Sequence, residues 1–210
     1  MLKVIIAIVV LILVLLIGYF IRNYIIISKV SRKNGGIDNY SLSAKYSSID
    51  ENQKEDFIIE QYYKEGKIFQ ILKNLNGDQI LVSLYNEDNN EYMYVIPDTL
   101  SGGFYETETS IKLKPFLEYE NNLKKIESAI SSKISTEYVD GQKCYVISYS
   151  NKFKDIVSAE DGRILKRIDD CYVSEFKDVA FEKVKDSDVI IQNIEKYNLI
   201  EGRKIENGMK

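Results

Sequence analysis

Few side chains in this 210-residue sequence stand at a spacing that chemistry can use, and histidine is absent. Its absence removes Ser-His-Asp and Cys-His catalysis, histidine-ligated zinc and any imidazole pH switch. Ser174 and Lys177 match S-x-x-K. That motif needs a helix to bring hydroxyl and amine together, and in a strand residues three apart face opposite sides. Residues 86–91 are acidic, but they lack the mid-loop glycine and final glutamate of a calcium loop and read as a solvated hairpin tip. No GxGxxG, Walker-type loop or CxxC occurs. Cys144 and Cys171 fall about seven residues out of step on neighbouring predicted strands, roughly 20 Å apart, which no disulfide spans. Two buried thiols are expected, and no imidazole is present to activate either. Carboxylates brought together only by the fold are the one catalytic arrangement left open. The reading is of a non-enzyme with no cofactor and no metal.

The elements around these residues begin with the strongest signal in the chain. Residues 4–20 carry no charge. As a helix they span about 25 Å, and continuing to residue 27 gives roughly 36 Å, enough for a ~30 Å hydrocarbon core with tilt. Tyr19, Phe20 and Tyr24 suit an interface, and Arg22 can snorkel. The run is long for a signal peptide, and no small-x-small cleavage site follows Gly18. Residues 1–27 are therefore expected to be an uncleaved single-pass anchor. Counting Arg22, Lys29, Arg32 and Lys33 against Lys3 would place the following domain inside. The short tail before a long apolar run is instead the form of an N-in signal anchor, and we take the domain to be extracytoplasmic. With 28 basic against 32 acidic residues, and two of the basic ones flanking the span, a nucleic-acid partner is not expected.

Residues 28–39 are polar, contain Gly35 and Gly36, and read as a linker. Alternating segments then recur at residues 40–47, 56–64, 67–72, 79–85 and 91–96, punctuated by Glu65-Gly66 and Asn76-Gly77. Residues 97–113 read as a loop. From Pro115 a helix is predicted. Its apolar stripe, Phe116, Tyr119, Leu123, Ile126, Ile130 and Ile134, would pack on the sheet, with membrane docking the lesser alternative. Strands resume at residues 137–139, 143–149, 153–158, 163–169 and 172–184, the last bulged near Asp178. Residues 190–210 should pack partly and then fray. The predicted fold is α+β: a transmembrane helix, then a curled, half-barrel-like antiparallel sheet of about ten strands packed on one amphipathic helix.

The stretch Gly141-Gln-Lys-Cys-Tyr-Val-Ile-Ser-Tyr149 followed by Asp155-Ile-Val-Ser-Ala-Glu-Asp-Gly-Arg-Ile-Leu-Lys166 resembles a recurring hairpin of the LolA-like lipoprotein-carrier superfamily, which includes RseB-type sensor domains. Phe176 to Val189 resembles the closing strand of such domains. The resemblance covers residues 40–189. It implies a membrane-tethered half-barrel that clasps helices, binds lipid or lipoprotein, and has no catalytic residues. Members usually carry an amphipathic helix before the first strand. Here only the span and linker precede Tyr40, which implies a smaller or more open cavity.

Three functions compete. One is an extracytoplasmic module that holds an acyl chain, lipid or lipoprotein as carrier or envelope sensor, its cavity lined by Phe116, Leu123, Ile126 and Ile130 of the helix and Tyr92, Tyr94 and Tyr145 of the strands. The second is an interaction or structural subunit of an envelope complex, with a filled core. The third is a carboxylate-based hydrolase.

Overall fold

The computed structural model describes residues 2–33, 37–50, 55–107 and 112–202. In chain order the elements are α1 (Leu2–Val30), β1 (Ser31–Lys33), β2 (Asn39–Ser48), β3 (Phe57–Lys64), β4 (Lys67–Lys73), β5 (Gln79–Asn86), β6 (Glu91–Ile96) and β7 (Ser101–Glu106). Then come β8 (Leu117–Tyr119), α2 (Asn122–Ser131), β9 (Lys133–Val139), β10 (Gln142–Ser148), β11 (Lys154–Ser158), β12 (Ile164–Ile168), β13 (Tyr172–Phe181) and β14 (Asn198–Glu201). The fold is α+β as expected: an apolar N-terminal helix, mostly antiparallel sheet and one further helix. Twelve strands make the sheet, against about ten predicted, and no barrel closes. The chain divides into two compact units, residues 37–115 with 171–210 and residues 1–36 with 116–170.

The first unit is an eight-stranded sheet of order β14-β7-β6-β5-β4-β3-β2-β13. Local turn chemistry sets its hairpins. Glu65 and Gly66 both have positive φ, the geometry a two-residue hairpin requires. Opposed residues share a face, so register sorts the side chains. Tyr62 opposes Phe69, Ile71 opposes Val82, and Val82 opposes Val95, all on one face. Tyr40, Tyr63, Ile68, Tyr85 and Tyr92 follow one another across the other face. Both faces are apolar over β3 to β6, so both must be covered. The chain itself covers the first. Val184, Val189 and Ile191 are buried in one cluster with Phe69, Val82 and Val95.

The second face carries polar groups that are fully paired. Gln61 is completely buried; it donates to Leu113 O (2.8 Å) and Tyr40 Oη (3.3 Å). It accepts from Leu113 N (2.7 Å) and Gln70 Nε2 (2.9 Å). These bonds tie the strand exit at Leu113 to the middle of the sheet.

Residues 97–113 contain a strand that the sequence reading takes for loop. Gly102 and Gly103 look like loop residues, yet they sit in β7. A Cβ on Gly102 would strike the Tyr94 carbonyl, and one on Gly103 would lie 3.0 Å from Ile200 O. The glycines admit β14 alongside in parallel pairing. Residues 108–111 of the predicted loop lie outside the described residues. The predicted bulge in β13 is present: the register shifts between Lys177 and Ala180, with Asp178 at positive φ.

The second unit holds α1, α2, the parallel pair β1–β8 and the strands β12-β11-β10-β9. In α1 the large apolar side chains from Val4 to Ile17 are exposed. The helix continues without a break to Val30, where Asn23, Ile26, Ile27 and Val30 form a buried stripe at three- and four-residue steps. A packed helical segment therefore does precede the sheet, as a continuation of the apolar run. Residues 28–33 of the expected linker are helix and strand, and residues 34–36 lie outside the described residues. Gly162, at positive φ, lets the β11–β12 turn approach this helix end: a Cβ there would lie 2.9 Å from Val30 O.

The predicted helix from Pro115 is corrected. Residues 116–119 are extended, because Phe116 bridges Arg163 and β8 pairs with β1. The helix starts after Asn121, whose side chain accepts from Lys124 N. Its buried residues are Ser128 and Ala129, which lie against α1. The large apolar stripe faces out, with Leu123 69% and Ile130 67% exposed. Cys144 is buried as expected, and its thiol is pushed up by burial. Cys171 is exposed at the bend before β13, against expectation. Both are free.

Candidate ligand-binding site

Strand alternation builds a shallow cavity on the first face of the eight-stranded sheet. Phe69 and Ile71 of β4, Val82 of β5 and Val95 of β6 make an apolar floor, and Ile191 and Tyr197 stand over it. The volume is about 340 Å³, at the small end of ligand pockets. Gln79, Ser187, Asp188 and Gln192 supply a polar rim. Tyr62 lines the edge; burial pushes its phenol up, with the Glu60 charge next.

The covering segment is fastened at both ends. Asn39 donates to Val184 O (2.9 Å) and accepts from Val184 N (3.0 Å). At the other end β14 pairs with β7 from Asn198 to Glu201. Between these ties, residues 185–197 hold only short 3-10 turns and few ladder bonds. Lys64 reaches Asp186 at 2.8 Å, an exposed pair of little energetic weight. An apolar floor and a polar rim suit a single apolar chain with a polar head.

The seven sequence-predicted residues lie elsewhere. Tyr92 and Tyr94 meet, but on the second sheet face, where they cluster with Tyr105 at centroid separations of 5.1 to 6.5 Å. Burial pushes the Tyr92 and Tyr105 phenols up. Tyr145 is half-buried on β10, opposite Val157 and Thr136. Phe116 is buried, with the Arg32 guanidinium 4.9 Å above its ring. Leu123, Ile126 and Ile130 share one face of α2, the middle one half-buried and the outer two exposed. None of the seven lines the cavity. Its actual lining was signalled weakly, by apolar residues on both faces of strands near 57–59, 80–82 and 92–95 and by the Val189–Ile191 triplet in a polar tail.

Asp155 in the second unit is the only buried carboxylate among the described residues. Arg167 holds it through two bonds of 2.7 and 3.3 Å. The Tyr149 phenol is raised, first by burial and then by the Asp155 charge. The carboxylate is thus paired with a guanidinium and stands near a phenol. No group of three potential metal ligands assembles among the described residues. Ser174 is buried while Lys177 is exposed, so the S-x-x-K pair does face apart.

No family model and no curated protein matches this sequence. Among solved structures, an uncharacterized conserved protein from Thermus thermophilus is similar with a TM-score of 0.51 at 6% identity, over 89% of this chain and 97% of that one. That likeness is one of fold. A LolA superfamily protein from Nitrosomonas europaea is similar at 9% identity and a TM-score of 0.39, over 79% and 96% of the two chains. A putative outer membrane lipoprotein-sorting protein domain from Vibrio parahaemolyticus follows at 10% identity and a TM-score of 0.37, over 74% and 90%.

Proposed function

We propose that this protein is a membrane-anchored, extracytoplasmic binding module that takes one acyl chain, free or on a lipid or lipoprotein, as a fixed carrier or envelope sensor. The cavity on the first sheet face carries this reading. It is apolar in its floor, polar at its rim, and covered by a segment whose main chain is bonded to the sheet at its two ends. Residues 4–20 of α1 act as the single-pass anchor, supported by their uncharged run and exposed side chains. Because α1 runs unbroken into packed structure of its own unit, the anchor tethers the chain to the membrane from which a ligand would come.

Fluorescent fatty-acid binding by the full chain in nanodiscs tests the proposal. Saturable, near-stoichiometric binding is expected, and Ile71→Trp, which fills the floor, should weaken it at least about tenfold. Binding that Ile71→Trp leaves unchanged would remove the cavity from the account. It would favour the alternative, an interaction module whose surface is what matters.

A further inference from the structure

We infer that the C-terminal end of α2 is a second membrane contact, with Ile130 set among the lipid headgroups of the bilayer that α1 crosses. The inference rests on reading α1 as a membrane anchor. From Val4 to Ile21 the helix has no charge, and those residues span about 27 Å, slightly short of a ~30 Å core. The boundary is therefore drawn to Arg22. Yet this unit docks within that same turn of helix. Tyr19 Oη donates to Ser132 O (3.3 Å), Arg22 Nη1 to Ile134 O (3.3 Å), and Asn23 Nδ2 to both Ala129 O and Ser132 O (3.2 Å each). These acceptors include carbonyls that the end of α2 leaves unpaired. No spacer separates the span from the end of α2, so whatever side chains surround Ser132 sit at the interface.

The direction of the neighbouring elements is fixed as well. β8 pairs with β1, which follows α1, so α2 starts at the far end and returns toward Tyr19. β9 does the reverse. It leaves Ile134 beside Arg22, while Tyr138 opposes Lys143, whose carbonyl accepts from Ala159 N, and Ala159 O accepts from Lys29. Ile130 thus lies at the membrane end of this unit and Tyr138 at the far end. Leu123, two turns back on the same stripe, is about 10 Å farther along. Ile130 and Leu123 expose most of their surface, and the exposed Lys133 stands beside Ile130 for anionic headgroups. Small residues on the inner face and large apolar ones on the outer face are what an interfacial helix end needs.

The chain has no tryptophan, so single substitutions report without background. The experiment places Leu13→Trp, Ile130→Trp, Leu123→Trp or Tyr138→Trp in the full chain, reconstituted in phosphatidylcholine–phosphatidylglycerol vesicles. Quenching is read with lipids brominated near the headgroup or deep in the chain, and with aqueous iodide. Leu13→Trp should respond to deep bromines. Ile130→Trp should lose roughly half its emission to shallow bromines, Leu123→Trp less, and Tyr138→Trp should respond to iodide alone. If Ile130→Trp responds to iodide alone while Leu13→Trp is quenched by lipid, the inference is overturned and the anchor stands. If Ile130→Trp is shielded from both quenchers, protein covers this face, a second copy included, and the inference is again overturned. If Leu13→Trp is not quenched by lipid, the anchor reading fails and takes this contact with it.

Discussion

Two isoleucines, 61 residues apart, show how differently the two units treat apolar surface. Ile191 lies in the covering tail of the eight-stranded unit and is 6% exposed, packed with Phe69, Val82 and Val95. Ile130 lies on α2 and is 67% exposed, with Ser128 and Ala129 taking the inner positions. The eight-stranded unit covers its apolar face with its own chain and leaves a small cavity in the seam. Helix α2 of the other unit buries Ser128 and Ala129 and leaves Leu123 and Ile130 exposed. Amphipathic periodicity is present in both, but it marks a core in one and an outer surface in the other.

The comparison breaks most sharply at the polar groups that hold each unit together. Gln61→Leu keeps volume but strands Leu113 N and the Gln70 amide. We expect a loss of about 4 kcal/mol in the eight-stranded unit, read by urea denaturation of the full chain in detergent and by hydrogen exchange in β3 and β4. The isoleucines come next. Ile191→Ala should cost about 3 kcal/mol, and Ile130→Ala, measured in detergent, under about 0.5 kcal/mol. Equal losses would erase the distinction drawn here. Asn23→Ala removes both bonds to the end of α2 and should cost about 2 kcal/mol, with faster exchange confined to α2 and the start of β9.

A further expected effect is a pH dependence. The Tyr63 phenol is pushed from 10.0 up to about 12, by burial first and by its Glu87 partner next. Its folded form keeps a proton that the unfolded chain releases. This contribution is therefore fully present below pH 10 and is lost as pH rises through 12, on the order of 2 kcal/mol. Tyr63→Phe should flatten the fall in stability across that window, and an unchanged slope would show that another group titrates there.

Much of the strand order was legible because its signals are local. Glu65-Gly66 and Asp140-Gly141 set hairpins through positive φ within two residues, and alternation marks the strands they join. What escaped depends on partners distant in sequence. Gly102 and Gly103 read as loop until β14 arrives 97 residues later in register, Asn198 beside Ser101, to claim the space a side chain would fill. The stripe of α2 has helical spacing, but its direction is set by Asn23, more than 100 residues earlier. The cavity depends on Ile191 and Tyr197 folding back over β4 to β6, which no local pattern announces. Phe116 was assigned to the helix, and a single bridge to Arg163 makes it extended.

The central claim is that the cavity on the first sheet face takes an acyl chain. The most direct measurement is photo-crosslinking of the full chain in nanodiscs containing a lipid with a diazirine near the end of one acyl chain, with the labelled peptides mapped by mass spectrometry. The account predicts label on α1 from the bulk bilayer and, separately, on β4, β5 and the segment around Ile191, the second set lost in Ile71→Trp. Label confined to α1 and the end of α2, with β4, β5 and Ile191 bare at saturating lipid, would contradict it.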